Sequence, residues 1–99
     1  MISLKIHKSY REVVGICDTN LIGQTFEQDV FQLDVKENFF KGEELDKEKA
    51  IKMLKDLSKE DATFNIVGEK SIDAAIKAGI IDKEGVGKIQ DIPFALVLI

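Results

Sequence analysis

Thr63-Phe64-Asn65-Ile66-Val67-Gly68 decides the fold: a β-branched run closed by a glycine, followed by Ile72, Ala75 and Ile76 on one helical face. Gly79 ends that helix as a left-handed C′ residue, with Ile80 placed to fold back on the last turn. A short strand running straight into an amphipathic helix lays a helical layer on a sheet. Upstream, Ala50, Ile51, Met53, Leu54 and Leu57 recur at steps of three and four, predicting a first helix with Asp46 as its N-cap.

Towards the N-terminus, Ile2, Leu4 and Ile6 alternate with Ser3, Lys5 and His7, a strand whose even positions face the core. Arg11 to Asp18 forms a second β-rich run, and Lys8-Ser9-Tyr10 between them is short enough for a hairpin. After a turn at Asp18-Thr19-Asn20, Phe31, Leu33 and Val35 alternate with Gln32, Asp34 and Lys36, predicting a third strand over about 30–36. At the other end, 82–87 reads as a turn or short loop. Ile92 to Ile99 reads as a closing strand apolar on both faces, with Pro93 removing one ladder donor near its start. Such a strand is either internal or an edge covered by a second copy, so a homodimer through 92–99 is one expectation.

These elements predict an α+β fold, a two-layer sandwich in which a mixed, mostly antiparallel sheet carries two main helices on one face. The 99 residues read as one domain over 1–99, without repeat or linker. With 44% hydrophobic and 32% charged residues, the chain has the composition of an ordinary globular protein. Its lone cysteine, Cys17, allows neither an internal disulfide nor a structural zinc quartet, which points to a reducing, cytoplasmic setting. The N-terminus lacks a signal-peptide apolar region, and the eight apolar-rich residues of 92–99 fall short of the roughly 20 that a membrane helix needs, so no membrane partner is expected. A net charge of −4, with Arg11 the only arginine, weighs against sequence-specific DNA reading.

Several segments together carry a family resemblance. Lys5-Ile6-His7-Lys8, Val14-Gly15-Ile16-Cys17-Asp18, Leu21-Ile22-Gly23-Gln24-Thr25-Phe26, Asn65-Ile66-Val67-Gly68-Glu69, Ala78-Gly79 and Ile92-Pro93 resemble an archaeal family catalogued as domain of unknown function 424. The resemblance implies the same two-layer α+β sandwich and brings no activity with it. It implies a loose association with RNA and the translation machinery. Family members often place a histidine after the last strand's proline, where this chain has Phe94.

His7, Cys17 and Asp18 are the residue types of a thiol nucleophile, its base and an orienting carboxylate, since a thiol needs a neighbouring base to become thiolate. The plainer reading is a solvent-side histidine and a small apolar cysteine in a strand. Gly68, Lys70 and Ser71 sit at a strand-to-helix junction, where free backbone N–H groups attract anions, and Asn65 on the preceding strand joins them as a ligand candidate. This is not a phosphate-binding P-loop, because Thr63 stands where that motif needs its first glycine. Lys52, Lys55 and Lys59 share one side of the first helix, opposite its apolar stripe, and suit RNA phosphates; Glu48 and Asp56 stand among them, as on an ordinary solvated face. Phe39 and Phe40 suit base stacking or a core edge. No metal-ligand spacing is present, and no cofactor is expected. The chain thus reads as a non-enzymatic binding or adaptor domain. The alternative is a small enzyme or anion-binding protein built on Cys17, His7 and the Gly68–Ser71 junction.

Overall fold

The structure, a computed structural model, describes residues 1–98. Period-2 apolarity produces β1 (Ile2–His7) and β2 (Glu12–Asp18), paired antiparallel with His7 opposite Val13 and Ser3 opposite Cys17. The β-branched run forms β6 (Ala62–Val67), which lies parallel to β2 with Cys17 opposite Val67. The chain closes with β7 (Gly87–Ile89) and β8 (Ile92–Val97). A short edge strand, β5 (Glu43–Leu45), completes a six-stranded sheet in the order β5-β1-β2-β6-β8-β7, in which every neighbouring pair except β2 and β6 is antiparallel.

The two helices expected from periodicity are α2 (Lys47–Leu57) and α3 (Glu69–Lys77), separated in the chain from a short upstream turn of helix, α1 (Glu37–Phe40). Asp46 caps α2 by accepting from Lys49 N at 2.8 Å. Gly79, at φ 80°, lets Ile80 N reach Ala75 O and Gly79 N reach Ile76 O, a Schellman ending. Both helices pack on one face of the sheet, where Ala50, Leu54, Ile72 and Ala75 meet Leu4, Val14, Ile16, Phe64 and Ile66 in the main core. Lys47 and Lys77 both pair with Asp73, so an ion pair ties α2 to α3.

The third strand expected over 30–36 is instead a separate two-stranded hairpin, β3 (Thr25–Gln28) and β4 (Phe31–Asp34). Its first arm buries little, with only Phe26 half-buried between polar neighbours, so no alternation marks it. Its turn rests on Asp29 at φ 56°, without the Asn-Gly or Asp-Gly pair that signals a hairpin. The hairpin, α1 and a 3₁₀ turn at Thr19–Leu21 cover one end of the sheet's second face, where Leu21, Val35 and Phe40 close over Cys17 and Val67 in a smaller core. Ile92–Val97 forms an inner strand, as one of the two readings of 92–99 required, and Ile99 lies outside the described residues. Pro93 leaves no gap: its carbonyl accepts from Gly68 N, and the Gly68 carbonyl opposite accepts from Ile72 N. No helix among the described residues is long and apolar enough to cross a membrane.

Candidate functional site

Asp18 ends β2 beside the first turn of α3. Its carboxylate accepts hydrogen bonds from Lys70 N (3.1 Å), Ser71 N (2.9 Å) and Ser71 Oγ (2.9 Å), and the residue is buried. The junction that attracts anions therefore holds the protein's own carboxylate, delivered by the neighbouring parallel strand. Gly68, at φ 107°, has no side chain because a Cβ there would lie 2.4 Å from Asp18 Cγ. Asn65 stays outside this cluster. Its register partners are Gly15 on β2 and Leu96 on β8, on the face away from α3. An open cleft of about 600 Å³ beside the cap is lined by Asp18, Glu44 and Glu69 with Lys70 as its cation, a field that repels phosphate.

Cys17 is fully buried beneath Leu21, Val35 and Phe40, and burial, reinforced by the Asp18 charge, pushes its thiol up to about 12. His7 shares its sheet face but stands four register positions away, about 13 Å along the strands. His7 is engaged elsewhere: its ring stacks on Phe39 at 4.6 Å, and Nε2 donates to Phe39 O at 2.8 Å, since a carbonyl only accepts. The structure thus brings Asp18, Gly68, Lys70 and Ser71 together and keeps His7 apart from Cys17.

A row of donors on β1 escaped the sequence reading. Ser3 Oγ donates to Phe40 O, Lys5 Nζ to Asn38 O and His7 Nε2 to Phe39 O, so three successive odd positions of one strand satisfy the carbonyls that end α1. Ser3 Oγ also accepts from Gly42 N at 2.8 Å. Gly15, opposite Lys5, leaves room for Phe39 to lie on the sheet. The signal was present as a polar residue at every second position of an otherwise apolar strand. Phe40 is buried and Phe39 half-buried, so both belong to this joint.

Lys52, Lys55 and Lys59 are exposed along the outer side of α2 and its C-terminal continuation. None of them joins an ion pair among the described residues. No group of three or more metal-ligating side chains occurs among those residues.

A crystal structure of an uncharacterized conserved protein from Methanopyrus kandleri superposes on this chain with a TM-score of 0.87 at 20% sequence identity, covering 97% of this chain and 89% of that one. It therefore shares the fold. No curated protein matches. Residues 7–99 match the model of the family described as "Protein of unknown function (DUF424)", and the chain belongs to that family.

Proposed function

We propose that this protein is a non-enzymatic binding domain whose partner is an RNA or a ribonucleoprotein. One observation carries the first half of this reading: each group that a thiol-based or anion-based chemistry would need is engaged by the fold. Asp18 caps α3, His7 holds the end of α1, and Cys17 lies under a closed apolar lid with a thiol pushed up to about 12. A nucleophile needs access and a neighbouring base, and Cys17 has neither.

The lysine row on α2 supports the second half. In a chain of net charge −4, Lys52, Lys55 and Lys59 project from eight residues of continuous surface, about 10 Å of helical rise, without an ion pair among the described residues. Point charges of this kind meet phosphates without reading bases, which suits an adaptor on an RNA surface.

The test is purification from source cells at low salt with absorbance followed at 260 and 280 nm. The chain has one tyrosine and no tryptophan, so bound RNA dominates the trace. RNA is expected to travel with the protein, and three phosphate contacts give a log–log salt slope of about −2 to −3. Lys52→Glu/Lys55→Glu/Lys59→Glu removes the 260 nm peak, whereas a folded His7→Ala/Cys17→Ser variant keeps it. A clean protein peak at low salt overturns the RNA partner, and loss of binding in the folded His7/Cys17 variant overturns the non-enzymatic reading.

A further inference from the structure

The tip of the β1–β2 hairpin lies where the lysine row of α2 ends, and it carries the chain's only tyrosine. Pairing of β1 with β2 stops at His7 and Val13, and Ser9 Oγ donates to Arg11 O at 2.6 Å across the turn. Tyr10, between them, is fully exposed, more so than any other large apolar or aromatic side chain among the described residues, and it joins no ring contact among them. The first register pair of β2 with β6, Glu12 with Ala62, brings the segment that follows α2 alongside this tip. Arg11 Nε meets Asp61 Oδ2 at 3.2 Å, an ion pair with Tyr10 one residue to one side and Lys59 two residues to the other. Two Cα steps span at most about 7–8 Å, so the lysine row begins beside the tip and runs from there along the helix through Lys55 to Lys52.

An open hollow of about 420 Å³ separates the tip from the α2–β6 connection, lined by Ser9, Tyr10, Arg11, Glu12, Glu60 and Asp61. Arg11 neutralises Asp61, whereas Glu12 and Glu60 make the hollow itself unfavourable for a phosphate. An uncharged, flat group meets no such penalty and finds the face of the Tyr10 ring, a rigid aromatic surface whose contact with a partner costs little side-chain entropy. The two neighbouring surfaces thus suit different parts of one polymer: the ring takes a base, and the ammonium groups take phosphates. In a duplex every base is already stacked between its neighbours, so only a single strand, a loop or a bulge supplies a free base.

We propose that Tyr10 stacks an unpaired base of a single-stranded RNA whose phosphates run along Lys59, Lys55 and Lys52. The proposal rests on the RNA reading above and narrows its partner to unpaired RNA. Stacking accepts any base, because every base has a π-face, so the contact selects for strand state and not for sequence.

Fluorescence anisotropy with a labelled oligocytidine of about 12 nucleotides, set against an RNA duplex of the same length, tests this. The single strand is expected to bind the wild-type chain at least about tenfold more tightly than the duplex. Tyr10→Ala weakens single-strand binding by about tenfold and leaves the salt slope unchanged, because no phosphate contact is lost, whereas Lys52→Glu/Lys55→Glu/Lys59→Glu lowers the slope itself. Tyr10→Phe, which keeps the ring, stays within about twofold of the wild type. The wild-type chain supplies a readout that needs no variant: with one tyrosine and no tryptophan, its intrinsic emission comes from Tyr10 alone and is quenched when an unlabelled single strand saturates the protein. Unquenched emission at saturation, full affinity in Tyr10→Ala, or equal affinity for duplex and single strand overturns the stacking proposal, while lysine-dependent binding in the same experiment leaves the RNA reading standing. Absence of binding to either RNA at low salt overturns both.

Discussion

Asp18 Cγ lies 2.4 Å from the point where a Cβ on Gly68 would sit, so the carboxylate and the missing side chain share one space. β2 and β6, parallel neighbours, bring the two residues to the same end of the sheet, and α3 starts where they meet. The arrangement explains why a helix start with free amides carries no vacant anion position: its two amides and the Ser71 hydroxyl converge on Asp18.

Gly68→Ala is expected to destabilise the protein by about 3 kcal/mol or more, since it adds positive-φ strain to a collision with a buried carboxylate. Asp18→Ala loses the cap and leaves Ser71 N and Oγ without their acceptor, at about 1–3 kcal/mol. Asp18→Asn keeps an acceptor oxygen and loses less. Because Asp18→Ala makes room for the new methyl, the double variant is expected to cost less than the sum of the singles. Urea unfolding of the four proteins checks this, and strict additivity would refute the shared-space account.

Gly15→Ala is expected to cost about 1–3 kcal/mol by lifting α1 off the sheet, because the added Cβ would meet Phe39 O at 2.6 Å. The nearest atom belongs to the backbone, so shortening the side chain gives no relief. Phe39→Ala should therefore fail to rescue Gly15→Ala in urea unfolding, and a full rescue would place the constraint in the ring, whose atoms lie at 3.0 Å.

Ser3→Ala removes the fully buried hydroxyl that both donates to Phe40 O and accepts from Gly42 N. Two backbone groups lose their partner at once, so a loss of about 1–3 kcal/mol is expected from a change of one atom. Hydrogen exchange at Gly42 N should accelerate relative to the β2–β6 amides. Unchanged protection there would mean that Ser3 does not hold the α1–β5 connection.

Elements that bury a regular apolar face were legible in the sequence. Asp46, the Ala50–Leu57 stripe, the Thr63–Val67 run and the Gly79–Ile80 ending each left a local pattern, and each lies where its pattern put it. The β3–β4 hairpin was not legible, because its half-buried side chains, Phe26 and Leu33, come one from each arm and only meet once the arms pair. β5 and β7 span three residues apiece, too few to establish a period. The candidate site was half legible. Gly68, Lys70 and Ser71 announced a helix start that would take an anion, yet nothing local to that segment reveals that the anion comes from Asp18, more than fifty residues earlier in the chain. That pairing follows from the parallel register of β2 and β6, which is a tertiary fact. His7 and Cys17 looked like neighbours because a hairpin joins their strands, and only the register sets them four positions apart.

The Cys17 thiol supplies a pH-dependent test of its burial. Its ordinary value is 9.0, and burial, with the Asp18 charge, raises it to about 12 in the folded chain. An acid whose folded value is raised keeps its proton in the native state while the unfolded state loses it. The contribution to stability is therefore fully present below about pH 9 and is lost as pH rises from there through about 12. Cys17→Ala lacks this contribution and is otherwise the same chain, so the difference between the two urea midpoints isolates the thiol. That difference is expected to be flat below pH 9 and to move against the wild type above it. At pH 8 the folded protein should react with a disulfide reagent at least about a hundredfold more slowly than the urea-unfolded chain. Rapid labelling of the folded protein, or midpoints that stay parallel up to pH 11, would show that the lid of Leu21, Val35 and Phe40 opens and would return Cys17 to the list of reactive groups.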